Sequence, residues 1–179
     1  MQEHRYSFEV DGTPEEIWPM FWHRQNVVHG DTKIEILHKG DELGNGLVRH
    51  CWFRVPLYLL SGGVGQSWEW LTEVRPCESW RYDAVGKPLW SRASGWTRLE
   101  DLGNGRTRVH FRETYHVFNP FLRALLEKTV HRYISKDNDQ LIRQAIEEHI
   151  RRLRAKQPGT RAALLGGASA SAAAQTAAR

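Results

Sequence analysis

The chain has 179 residues, 40% hydrophobic and 26% charged, with a formal net charge of +4. That length suits one domain with a core of useful size, and no apolar run approaches the ~20 residues of a membrane span. Met1-Gln2-Glu3-His4-Arg5 has no apolar stretch of the secretory type, and Cys51 and Cys77 are too few for a disulfide framework, so reduced thiols in a cytoplasmic protein are the expectation.

His4 to Val10 alternates, with Tyr6, Phe8 and Val10 on one side, and reads as a first strand. Thr13-Pro14-Glu15-Glu16 forms a capping box with proline at the first helical position. The helix it opens carries Ile17, Trp18, Phe21 and Trp22 on its apolar side. Pro19 inside that helix predicts a kink, because its ring meets the Glu15 carbonyl. Lys33 to His38 is a second strand, Gly44-Asn45-Gly46 a hairpin signal, and Leu47 to Val55 a third strand.

Ser61-Gly62-Gly63-Val64-Gly65 lacks the Lys-Ser or Lys-Thr of a phosphate cradle and reads as a flexible loop at a cavity mouth. Gln66 to Arg75, Ser79 to Val85, Trp90 to Asp101 and Arg106 to Val117 follow as strands with short turns, which predicts an antiparallel meander. Asn119-Pro120 then opens a helix running to about Ala155. Its apolar residues, among them Phe121, Leu122, Leu125, Leu126, Val130, Tyr133, Ile134, Leu141, Ile142, Ile146 and Ile150, recur at i, i+3 and i+4. Such a helix is roughly 50 Å long and needs a sheet to cover its stripe. The Ala/Gly/Ser-rich residues 157–179 have no periodicity and are expected to be disordered, leaving 1–156 as the domain.

The positive excess falls largely on Arg151, Arg152, Arg154 and Lys156, where it complements the helix dipole. No nucleic-acid partner is implied. All eight tryptophans lie between Trp18 and Trp96, which indicates a bulky core or an aromatic-lined cavity.

The order strand, short helix, about six strands, long helix resembles the START-like helix-grip superfamily (SRPBCC). That superfamily includes lipid-transfer domains, polyketide cyclases and plant pathogenesis-related proteins. The resemblance covers residues 4–155 and is carried by the opening strand with Thr13-Pro14-Glu15-Glu16-Ile17-Trp18, by Gly44-Asn45-Gly46-Leu47-Val48-Arg49, by Glu73 to Tyr82, by Gly105 to Val109, and by the last helix. It implies an α+β fold, a curved antiparallel sheet wrapped around a long C-terminal helix, with a cavity between them for a hydrophobic or amphipathic small molecule. Pro19 departs from the uninterrupted first helix of that pattern.

In the last strand Val109, Phe111, Glu113, Tyr115 and Val117 share the face that must look at the helix. A three-residue loop at Gly103 to Gly105 sets Leu99 opposite Val109 and Gly95 opposite Glu113; a two-residue loop would set Arg98 beside Phe111. In the first register Ser91, Ala93 and Gly95 leave space beside Glu113 and Tyr115, unless Trp68, Trp70 or Trp80 fills it. Glu113 then needs a partner, for which Arg49 is the candidate cation and Tyr115 and Asn138 candidate hydrogen-bond donors. A rim salt bridge for Arg49, and solvated side chains at a helix kink for Asp137 and Asn138, are the plainer alternatives. The expected cavity wall comprises Arg49, Phe53, Trp70, Tyr82, Gly95, Phe111, Glu113, Tyr115 and Asn138.

The nine histidines show no metal-ligand spacing and no Gly-x-Ser-x-Gly elbow occurs, so no metal, cofactor or catalytic residue is assigned. The first functional expectation is a non-catalytic carrier of a lipid-like or polyketide-like molecule, monomeric or weakly dimeric. The second is a polyketide cyclase, aromatase or dehydratase using Glu113, Tyr115 or Arg49 as acid, base or oxyanion partner. The third is a protein-interaction module, as in the chaperone activators of the superfamily, working through the sheet's outer face.

Overall fold

The computed structural model describes residues 1–21 and 26–156, with backbone alone at His29, Asp137 and Asn138. Trp22 and the 157–179 tail therefore lie outside the described residues, as does the side chain of Asn138. The strands are β1 Gln2–Val10, β2 Val27–His29, β3 Thr32–Lys39, β4 Leu47–Arg54, β5 Val64–Arg75, β6 Ser79–Lys87, β7 Ser91–Gly103 and β8 Arg106–Val117. They form one antiparallel sheet in the order β1-β8-β7-β6-β5-β4-β3-β2. The short β2, absent from the pattern reading, is the added edge strand. Val64 and Gly65 belong to β5 rather than to a loop, since Gly65 pairs with Phe53.

Helix α1, Pro14–Phe21, starts as its sequence requires. The Thr13 N–H donates to Glu16 Oε2 at 3.0 Å, and the Glu16 N–H to Thr13 Oγ1 at 3.3 Å. The last helix begins at Asn119, whose Oδ1 accepts the N–H groups of Phe121 and Leu122. A first turn α2, Pro120–Leu122, passes into a π-helical turn at Arg123–Glu127 and then into α3, Lys128–Lys156.

The π turn inserts a residue and rotates the face that follows. Among the described residues of the helix, Glu127, Val130, His131, Ser135, Ile146 and Ile150 are buried. Phe121, Leu125, Tyr133 and Leu141, expected in the covered stripe, instead retain 70%, 61%, 39% and 43% of their exposure. The apolar set is wider than the sheet can cover, and its outer members stay in solvent.

The apolar core is divided. At the α1 end Val10, Ile17, Leu99, Val109, Ile146 and Ile150 pack together, beside a second group of Leu47, Leu71, Val74 and Trp80. At the opposite end Leu89, Tyr115, Val117 and Val130 form a third group. The α3 backbone runs closest to β1 and α1. Glu127, 2% exposed, fastens the start of the helix by accepting the Val117 N–H at 2.8 Å, with the Met1 amino group 3.2 Å away.

Two outcomes follow. Ile146 is fully buried, so Ile146→Asp should cost at least about 4 kcal/mol, read by urea denaturation. Burial alone would raise the Glu127 pKa, but the Val117 N–H and then the neighbouring amino group and Gln2 outweigh it and hold the group below its ordinary value of 4.5. Its contribution is thus complete above that value and lost as pH falls through the lowered one. Wild type should lose stability more steeply than Glu127→Gln on acidification below pH ~5, and parallel curves would remove the latch.

Candidate functional site

Between the two apolar ends the interior is polar, and strand register explains how. Across the sheet His4 of β1 lies opposite Glu113 of β8, Glu113 opposite Gly95 of β7, and Gly95 opposite Tyr82 of β6. Gly95 lacks a side chain in the middle of that row, so the Tyr82 ring lies across it. A Cβ at position 95 would come within 2.7 Å of the Tyr82 oxygen and nearer still to its ring carbons. Having crossed β7, the Tyr82 hydroxyl donates to Glu113 Oε2 at 2.7 Å. The space expected beside the small residues of β7 is therefore taken over Gly95 by Tyr82, not by tryptophan. Phe53 likewise covers Gly65, where an added Cβ would lie 2.6 Å from Phe53 Cε2.

From the helix side His131 faces Glu113, with Nε2 3.6 Å from Oε1, an ionic contact only when the imidazole is protonated. Glu113 and His131 are 6% and 5% exposed. The His131 ring stacks on Tyr115, centroids 5.5 Å apart and planes at 9°. Tyr115 thus supports the imidazole rather than donating to Glu113, and its hydroxyl pairs with Ser91. His4 binds Asp139 at 2.8 Å and meets His131 edge-on at 6.3 Å. Titratable groups consequently run inward from the half-buried Asp139 through His4 and His131 to Glu113 and Tyr82.

Three buried polar atoms here lack a hydrogen-bond partner among the described residues: Tyr6 Oη, His131 Nε2 and Ser135 Oγ. Tyr6 follows His4 on the inner face of β1 and packs on Phe111 at 5.2 Å, while His131 and Ser135 are one turn apart on α3. Unpaired polar atoms in an interior are costly; His131 Nε2 lies 3.6 Å from Glu113, and Tyr6 is close enough for the Glu113 charge to act on its phenol.

Arg49 does not reach Glu113. Four strand spacings, roughly 19 Å along the sheet, separate β4 from β8. Its partner is Glu69, directly opposite on β5, with Nη2 to Oε2 at 2.6 Å, and Ser67 completes the set by donating to Glu69 Oε1 at 2.7 Å. Trp70 is likewise no part of the wall. Ser67, Glu69 and Leu71 occupy the inner face of β5, which puts Trp68 and Trp70 outside, Trp70 39% exposed and Trp68 stacked on His50.

The electrostatics match the geometry. Burial, then the Glu113 charge, pushes the Tyr82 phenol well above its ordinary pKa, and burial with Asp139 and Glu113 does the same to Tyr6. Both hydroxyls therefore keep their protons at neutral pH. Burial, reinforced by Glu69, raises the Cys51 thiol to about 12, which excludes it as a thiolate nucleophile. Burial opposes the Arg49 charge, but Glu69 outweighs it and keeps the guanidinium ionised. Among the described residues no three metal-ligating side chains gather into a metal-binding group. What the cluster offers is a hydrogen-bonded carboxylate, an imidazole, two phenols and a hydroxyl.

His131 escaped the sequence reading because it interrupts an apolar stripe. Its signal was the four-residue spacing of Glu127, His131 and Ser135 beside Val130 and Ile134.

No protein-family model matches the sequence, and no curated protein matches it either. Solved structures do match. The chain is similar to the Zhui aromatase/cyclase of a Streptomyces species, with TM-score 0.62 and 15% identity over 87% of this chain and 97% of that one. It is similar to a START superfamily protein from Mycobacterium smegmatis, with TM-score 0.59 and 12% identity over 84% and 98%. Ara h 8.0201 gives TM-score 0.55 and 18% identity over 83% and 98%. At such identities the likeness is one of fold. The chain has the START-like helix-grip fold.

Overpacking tests the central row. Gly95→Ala should cost about 1–3 kcal/mol, while Gly95→Ala with Tyr82→Ala should cost less than the sum of the two single changes. Strict additivity in denaturation midpoints would show that the ring does not lie on Gly95.

Proposed function

We propose that this domain binds a hydrophobic or amphipathic small molecule between the sheet and α3, with the molecule's polar end at Glu113, His131 and Tyr82. The observation that carries this reading is a set of buried polar atoms without a hydrogen bond, Tyr6 Oη, His131 Nε2 and Ser135 Oγ, of which His131 Nε2 lies 3.6 Å from the Glu113 carboxylate. A ligand hydroxyl or carbonyl satisfies them at the point where the protein does not. Support also comes from the inner face of the middle strands. Arg49 and Glu69 keep 21% and 13% of their side-chain exposure although they point inward, and Phe53, Tyr82 and Ala93 are half-buried. Apolar surface there, from Phe53, Phe111 and Ala93, suits a lipid-like or polyketide-like body.

A second reading, an enzyme of the cyclase, aromatase or dehydratase type, is favoured by one feature. Glu113, His131 and a protonated Tyr82 are a base, a proton carrier and a hydrogen-bond donor within one cluster, and Asp139 and His4 lead outward from it. The interaction-module reading required an apolar outer face. That face instead carries ion pairs such as Arg108–Glu9 and Arg112–Glu3, and tryptophans covered by cations, Lys33 over Trp52 and Arg81 over Trp96.

Tryptophan emission tests the proposal. Titration with dodecanoic acid, a sterol and a flat polyphenol should give a saturable change with at least one, at micromolar Kd, roughly −8 kcal/mol. Glu113→Gln should fold normally and shift that Kd severalfold. A panel that leaves emission unchanged would overturn the reading, and turnover of a polyketide model substrate, lost in Glu113→Gln, would promote the enzyme.

A further inference from the structure

One end of the molecule is apolar on its outside. The 3-10 turn Leu57–Leu59, the connection between β6 and β7, and the passage from β8 into the π turn meet at the third core group, where Leu59, Leu89, Leu122 and Leu126 pack. The Phe118 N–H also donates to the Trp90 carbonyl at 3.0 Å, joining two of these segments directly. Outward from this shared base stand Leu57, Tyr58, Leu60, Trp90, Phe121 and Leu125, each more than half exposed. Single exposed apolar side chains are ordinary, but six at one end mark a contact surface.

The charges around it are one-sided. Within residues 56–64, 86–92 and 116–128 the Lys, Arg, Asp and Glu residues are Lys87, Arg92, Arg123, Glu127 and Lys128. Glu127, the one acid, is 2% exposed and turned inward onto Val117. The rim that solvent sees is therefore mainly cationic; the exposed acid Asp31, in the turn between β2 and β3, is paired with Arg54, which lies opposite Val64.

We propose that this end docks on a membrane surface containing anionic lipid. Leucine, phenylalanine and tryptophan side chains enter the boundary between headgroups and acyl chains, while lysine and arginine meet lipid phosphates. A second copy of the chain is disfavoured as the occupant, because a symmetric contact would set the same cations against each other. The contact is superficial: among the described residues no helix is long and apolar enough to cross a membrane. The proposal stands apart from the interior site and holds whether or not that site takes a ligand.

Co-sedimentation of the full chain with phosphatidylcholine vesicles, with and without phosphatidylglycerol, tests it. Binding should require the anionic lipid and weaken when salt rises from ~0.1 to ~0.5 M. The double variant Leu60→Glu with Trp90→Glu changes only exposed side chains. It should keep the wild-type circular dichroism and lose affinity about tenfold or more through lost apolar burial. The proposal is overturned by no binding to either vesicle, by equal binding to both, or by an unaffected double variant. Self-association abolished by the double variant, without vesicle binding, would assign the surface to a second copy and equally overturn it.

Discussion

A carboxylate placed on the inner face of a sheet, under a helix, must be hydrogen-bonded, paired or protonated, because leaving it bare costs many kcal/mol. Glu113 imposes that requirement here, and much of the interior is arranged around it. Tyr82 supplies a hydroxyl at 2.7 Å and reaches it across a residue that must be glycine. His131 comes from α3 to 3.6 Å and is held by stacking on Tyr115. Among the described residues no Arg or Lys joins them, and Arg49 is committed to Glu69. The carboxylate is thus held by groups that donate or exchange protons rather than by a fixed cation, an arrangement suited to a partner that comes and goes.

Stability and site chemistry occupy different parts of the grip. Ile17, Val109 and Ile146 are at most 1% exposed at the α1 end, and full burial of such side chains stabilises by about 1.5–3 kcal/mol each. Val117 and Val130 do the same at the other end. The polar middle contributes little net stability, because desolvation offsets what its pairs gain. Two well-packed ends allow the centre to keep unsatisfied atoms. The π turn lies at the start of this stretch, and beyond it Glu127, His131 and Ser135 are buried beside Leu126, Val130 and Ile134.

Much of the fold was legible because its signals are local. The capping box at Thr13 and the cap at Asn119 each set a boundary through adjacent residues. The expected three-residue loop at Gly103 to Gly105 is instead a two-residue turn, Asn104-Gly105, whose bulge between Asp101 and Gly103 restores the expected register. Glu113 therefore lies opposite Gly95, as the alternation of the two strands required. The site was legible only as far as that register. Which ring fills the space above Gly95 depends on β6, through a connection with no regular turn signature. Trp70 misled because hydrophobicity pointed it inward, whereas the inner positions of β5 are Ser67, Glu69 and Leu71, with Glu69 admitted only because Arg49 lies opposite. His131 misled in the reverse sense, a polar residue among apolar neighbours that is inside because Glu113 is there to meet it.

The most direct test of this account is the ring nitrogen signal of His131 in a long-range 1H–15N spectrum, followed while a long-chain alcohol is titrated in. If a ligand's polar end enters the cluster, the His131 Nε2 resonance moves saturably while those of His50 and His110, on the outer face, stay in place. Movement confined to the outer-face histidines, or none at saturating alcohol, would contradict a polar receiving site between sheet and helix.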